Sequence, residues 1–167
     1  ASDVYKRQLH DLSKYSPTEF LAGAKYYQGT ASPNNAERMD KGISTAWLHH
    51  KGRNRHHFEY WIDYSMQALP GGMAPVPMPD RYIAEMIMDR IAASKVYMGD
   101  KYTDRSPLDY YYRGTDKAPI HPKTKAKLLY VLEMLAEQGE EKTFQFIKEE
   151  LVQHKRCMDW HQLEKAE

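Results

Sequence analysis

Apolar residues recur at three- and four-residue intervals along most of the chain, and Pro, Gly, Ser, Asp and Asn punctuate the stretches that carry this period. Ser16-Pro17-Thr18-Glu19 predicts a helix start, with Ser16 as cap, Pro17 at the first helical position and Glu19 completing a capping box. That helix runs to about Tyr27, and Gly29 stops it. Ser32-Pro33 opens another in the same way. It is interrupted at Gly42 and reaches Lys51, with Ile43, Trp47 and His50 at helical spacing and Gly52 just past its end. Asn54 is expected to cap a further helix through His57, Tyr60 and Trp61. Upstream, His10-Asp11-Leu12 reads as the end of a helix that begins earlier.

The second half is more regular. Residues 65–79 hold Pro70-Gly71-Gly72, Pro75, Pro77 and Pro79, and predict a loop with at most a short extended piece. Asp80 caps a helix over 80–98 whose inward stripe is Ile83, Met86, Ile87 and Ile91. A short helix follows Ser106-Pro107. Pro122 begins one to about Gln138, with Leu128, Leu129, Leu132 and Leu135 inward and Gly139 as its stop. A last helix over 140–156 buries Phe144, Ile147 and Leu151, with Val152 at its margin. No alternating pattern of useful length predicts a strand, and no repeat is present. The fold class expected is all-α, one domain, with a tail at 157–167.

Composition narrows the function classes. A chain of 167 residues can bury a real core. Its formal net charge of +1 argues against a broad phosphate-binding surface and against a membrane surface, with Lys51–Arg55 the local basic exception. No apolar run approaches the roughly 20 residues that span a bilayer. The single Cys157 allows no internal disulfide, which leads to the expectation of a reducing, cytoplasmic setting. Ala1 to Gln8 has no apolar signal region and resembles a translated sequencing adapter. On that reading residues 1–8 are non-native, the domain is 9–156, and an N-terminal helix is missing.

The candidate chemistry lies in two short stretches. Trp47 to Trp61 contains two histidine pairs, His49-His50 and His56-His57, and His10-Asp11 lies upstream. Imidazoles and carboxylates without thiolates suit Mn, Fe, Zn or Mg, one ion or two. On an unbroken helix His50 and His57 would stand roughly 10 Å apart along the axis, too far for one ion. A break at Gly52–Asn54 brings them together, and one histidine of each pair, His50 and His57, is then expected to face the metal. Glu85 and Asp89 share a helix face, and an inward Asp89 calls for a cation. The expected ligands are therefore His10, Asp11, His50, His57 and Asp89. His49, His56, Glu59 and Glu85 are expected to stand behind them. Trp47 and Trp61 read as core rather than as platforms for a base.

His10-Asp11-Leu12-Ser13-Lys14 resembles the His-Asp-x-x-Lys signature of the HD superfamily of metal-dependent phosphohydrolases, and the order His10-Asp11, His49-His50, His56-His57, Asp89 is similar to that family's. The superfamily's first histidine has no counterpart here, so this polypeptide could be inactive. The stretches His10–Phe20, Trp47–Trp61 and Met78–Ser94 look more closely like an uncharacterised bacterial and phage family, DUF5662. The HD resemblance implies a helical bundle that hydrolyses a small phosphorylated substrate, such as a nucleotide. It implies Asp11 as ligand and base and Lys14 as a phosphate or leaving-group contact. Arg53, Asn54 and Arg55 would grip phosphate, and Tyr60 would stack on a base. The alternative is a non-catalytic metal-binding or interaction domain, such as a phage accessory protein, on the same scaffold.

Overall fold

The computed structural model describes residues 11–65, 72–114, 117–154 and Trp160. The adapter-like segment, His10 and Cys157 lie outside them. The described chain is mainly helical, as its periodicity predicts, and it divides into two compact units, one up to Tyr60 and one from Trp61 onward.

The first unit begins with a 3-10 turn, Leu12–Tyr15. Ser16 then caps helix α1, Pro17–Lys25, its side chain accepting from the Glu19 amide at 3.4 Å. Helix α2, Pro33–Lys41, ends at Gly42, whose φ of 77° is the left-handed geometry that closes a helix. Ser44 caps helix α3, Thr45–Lys51, by accepting from the Trp47 amide at 3.0 Å. The interruption read at Gly42 is therefore a complete break between two helices.

Residues 52–57 form turns, and only a 3-10 helix, Phe58–Trp61, follows. The helix expected from Asn54 does not form. Asn54 is buried, and its side-chain amide donates backwards to the His50 carbonyl at 2.8 Å and to Ser13 Oγ at 2.7 Å. It closes a loop instead of capping a helix.

Buried side chains of the described first unit are almost all polar: Glu19, Glu37, Ser44, His50, Asn54 and His56, with Ala46 the apolar exception. Glu37 sits at the N-terminus of α3. It accepts from Ser44 Oγ and Thr45 Oγ1, both at 2.7 Å, from the Ala46 amide at 3.3 Å and from Lys41 Nζ at 3.1 Å. Burial pushes its carboxyl up, but these donors outweigh it and hold the pKa down at about 2. Ile43, put at helical spacing with Trp47 and His50, precedes α3 and is exposed.

The second unit opens with a small antiparallel ribbon that the apolar pattern did not announce: β1, Ile62–Tyr64, pairs with β2, Met73–Pro75, in the register Ile62↔Pro75, Asp63↔Ala74, Tyr64↔Met73. Three-residue strands are too short to carry a readable period. Helices α4, Asp80–Met98, α5, Ser106–Gly114, and α6, Pro122–Phe146, build an apolar core. Ile83, Met86, Ile87 and Ile91 from α4 meet Leu108 and Tyr111 from α5 and Leu128, Val131, Leu132 and Leu135 from α6. Asp80 is the first residue of α4, after Pro79, and it pairs with Lys127 of α6 at 2.6 Å. Gly139 breaks the helical path within α6, as its sequence predicts: its φ of 81° and ψ of 175° are non-helical, and a second helical stretch runs on to Phe146 and a π-helical segment, Ile147–Val152. Ile147 and Leu151 are buried there, whereas Val152 is exposed.

Candidate metal centre

Asp11, His50, His56 and His57 each offer one ligand-type atom, and these atoms lie within 4.8 Å of one another. Three local structures assemble them. Asp11 immediately precedes the Leu12–Tyr15 turn, whose Lys14 amide donates to the Asp11 carbonyl at 2.9 Å. His50 is in the last turn of α3. The turns after Gly52 then reverse the chain, so that His56 and His57 come back over His50.

Spacings within the group suit a small ion. His50 Nε2 lies 2.9 Å from His57 Nε2 and 3.5 Å from Asp11 Oδ1, and His56 Nε2 is 3.5 Å from the same oxygen. With bonds of about 2.1 Å, neighbouring ligands of a four- to six-coordinate ion stand about 3.0–3.4 Å apart. Donor chemistry fits as well, three imidazoles with one carboxylate being a set that Zn, Fe or Mn accepts. His50 and His56 are almost wholly buried, at 5% and 2% exposed, so ionic contacts here are little screened by water.

A second layer holds the first. Glu19 reaches from α1 to α3, its Oε1 2.6 Å from His49 Nδ1 and its Oε2 2.8 Å from His50 Nδ1. Burial raises the Glu19 pKa, but hydrogen bonds with His49, Ser13 and His50 outweigh it and keep the group below the ordinary carboxylate value. Glu19 was expected to turn back and complete a capping box. Its backbone amide does meet Ser16, but its carboxylate is drawn away to the two imidazoles. Trp47 walls the group, stacked on His50 with ring centroids 5.7 Å apart and edge-on to His57 at 4.7 Å.

The other candidates are dispersed. His49 lies on Glu19, its Nδ1 2.6 Å from Oε1. His56, placed behind the ligands by its sequence, contributes a ring nitrogen to the group itself. It can do so because 52–57 is turn, where consecutive side chains need not diverge as on a helix. Lys14 Nζ forms an ion pair with Asp11 Oδ2 at the rim, its own side chain 60% exposed. Arg53 is exposed and donates to the His49 carbonyl at 3.3 Å, and Arg55 is exposed with its guanidinium 5.8 Å from the centre of the Tyr60 ring. Asn54 is turned inward, and Glu59 is half-buried on the 3-10 helix. Glu85 and Asp89 are half-buried on α4 of the second unit and are not among the four converging residues, while His10 falls outside the described chain.

Sequence reading did not find Ser13, Glu19 or the walling role of Trp47. Glu19 and His49 are thirty positions apart, and no local spacing links them. No curated protein and no solved structure matches the chain. The model of the family of unknown function DUF5662 matches residues 2–134, most of the sequence, and the chain belongs to that family.

Proposed function

We propose that this protein is a divalent-metal-dependent phosphohydrolase of HD-like type, with Asp11, His50, His56 and His57 as metal ligands. The observation that carries the reading is the convergence of those four ligand atoms within 4.8 Å. A bound Mn, Fe, Zn or Mg ion would supply Lewis acidity and a water acidified toward neutrality. Asp11 is both ligand and proton acceptor, with Oδ1 toward the histidines and Oδ2 toward Lys14. Lys14 meets the phosphoryl oxygens at the rim. Arg53 and Arg55, exposed on the turn between the histidine pairs, are placed for bidentate contacts with a phosphate. Tyr60 offers a ring face to a nucleotide base.

A second reading has one observation in its favour. Four protein ligands are enough to close a tetrahedral site, and a closed site is structural rather than catalytic. The protein would then be a metal-binding interaction domain. Metal analysis of the purified chain, followed by a hydrolysis screen over nucleotides and simple phosphate esters, separates the two. Turnover that is lost in Asp11→Ala and on chelation supports the enzyme. Retained metal with no turnover of any ester supports the second reading. Absence of metal from both wild type and a metal-supplemented preparation overturns both.

A further inference from the structure

We propose that Glu19 is the positioning residue of this centre: its carboxylate clasps His50 so that Nδ1 carries the proton and the Nε2 lone pair faces Asp11, His56 and His57. The inference rests on the metal-centre reading and adds a residue that neither motif nor spacing assigns.

Hydrogen-bond bookkeeping around His50 Nδ1 leads to it. Three groups approach this nitrogen: Glu19 Oε2 at 2.8 Å, Asn54 Nδ2 at 3.0 Å and Ser13 Oγ at 3.2 Å. An ionised carboxylate only accepts, so the closest of the three requires Nδ1 to donate. Asn54 does not compete, because its two amide hydrogens are directed to Ser13 Oγ at 2.7 Å and to the His50 carbonyl at 2.8 Å. Ser13 in turn hydrogen-bonds to Glu19. A neutral imidazole with its proton on Nδ1 has a bare Nε2. That Nε2 is the atom 2.9 Å from His57 Nε2 and 3.5 Å from Asp11 Oδ1.

Glu19 also explains why His49 stands beside His50. Adjacent helical side chains diverge by about 100°, so His49 cannot follow His50 to the ligand point. It takes the other oxygen of the same carboxylate instead, at 2.6 Å. One acid therefore fixes the end of α3 through two rings. Glu19 is itself held, with 7% of its surface exposed. A carboxylate behind a ligating histidine sets tautomer, ring orientation and basicity, and its loss typically weakens metal binding about ten- to a hundredfold.

The test uses the full chain and two readouts. Imidazole nitrogen NMR on the chelator-treated wild type should find His50 protonated on Nδ1, and Glu19→Gln should shift it toward the Nε2-protonated form. Co(II) titration followed by visible absorption should give a wild-type affinity that Glu19→Gln lowers about ten- to a hundredfold. Ser16→Ala is the control, because it removes the cap of the same helix while leaving the carboxylate. It should lower the melting temperature and leave Co(II) affinity unchanged. An Nε2-protonated His50 in the wild type overturns the inference even if no variant folds, as does equal Co(II) affinity in wild type and folded Glu19→Gln. Wild type that binds no Co(II) overturns the metal centre itself, a failure distinct from a wrong tautomer at His50.

Discussion

At the scale of single residues, the first unit is governed by where protons and lone pairs can go. Ligand-type atoms from Asp11, His50, His56 and His57 converge, while His49 points to Glu19. The two histidines that sequence alone assigned to the same supporting role are therefore expected to differ. His56→Ala should abolish stoichiometric Zn binding in equilibrium dialysis, whereas His49→Ala should weaken it by only about tenfold. Equal losses would mean that the ligand set is wrong. Glu37 makes a prediction of another kind. Its pKa is held down at about 2 in the fold, against 4.5 for an ordinary glutamate. A depressed carboxylate contributes stability that is fully present above pH 4.5 and is lost as pH falls toward 2. Glu37→Gln should cost about 1–3 kcal/mol near neutral pH, as expected when a buried hydrogen-bonded charge is removed. The gap between wild type and variant in urea unfolding should close on acidification, and a pH-independent gap would contradict the assignment. Some of this was legible beforehand. Residue types and their order announced a histidine and carboxylate group, because metal chemistry needs those side chains. His50 and His57 were chosen from sequence and are in the group, but that His56 joins them was not legible, because it depends on the path of residues 52–57.

At the scale of elements, caps and breakers were readable because they act locally. Ser16 with Pro17, Pro122 and Gly42 lie where their chemistry places a helix end. The misreadings occurred where a distant partner overrode the local preference. Asn54 is a good cap residue, but His50 and Ser13 claim its amide. Gly139, read as a helix stop, does break the helical path within α6, with φ 81° and ψ 175°. The two glycines should therefore respond alike to alanine, and against helix propensity. In a regular helix interior, Gly→Ala stabilises by about 1 kcal/mol. Gly139→Ala should instead destabilise by about 1–3 kcal/mol, because its φ of 81° with ψ of 175° is a region that only glycine occupies readily. A Cβ there would also come within 3.4 Å of the Asp104 carboxylate. Gly42→Ala should cost about 1–2 kcal/mol from its left-handed φ alone, since open space surrounds it. Thermal melts of the two variants decide it, and a rise in melting temperature for Gly139→Ala would mean that α6 runs straight.

At the scale of the whole molecule, the two units are held by different physics. The second buries a continuous set of Ile, Leu, Val and Met side chains contributed by α4, α5 and α6, and burial of such side chains is the dominant favourable contribution in folding. The first buries mainly carboxylates, imidazoles and an amide, while Phe20, Leu21, Tyr27, Met39 and Leu48 are exposed. Polar groups contribute modestly when paired and are costly when not, so the first unit should be the less stable of the two in the metal-free state. Its ligand group changes that arithmetic. A ligand that binds only the folded form stabilises it by about 2.7 kcal/mol at a hundred times its dissociation constant. The metal ligands lie on the Asp11 turn, on α3 and on the loop after it, so the added stability should appear first in amides of those segments. Hydrogen exchange with and without Zn should find protection rising sharply in α1, α3 and residues 52–57, with α4 to α6 changed little. Equal increases in both units would mean that they unfold together. No increase anywhere would leave the histidine group as a hydrogen-bonded network without an ion, held by contacts such as those of Glu19 with His50 and of His50 with His57.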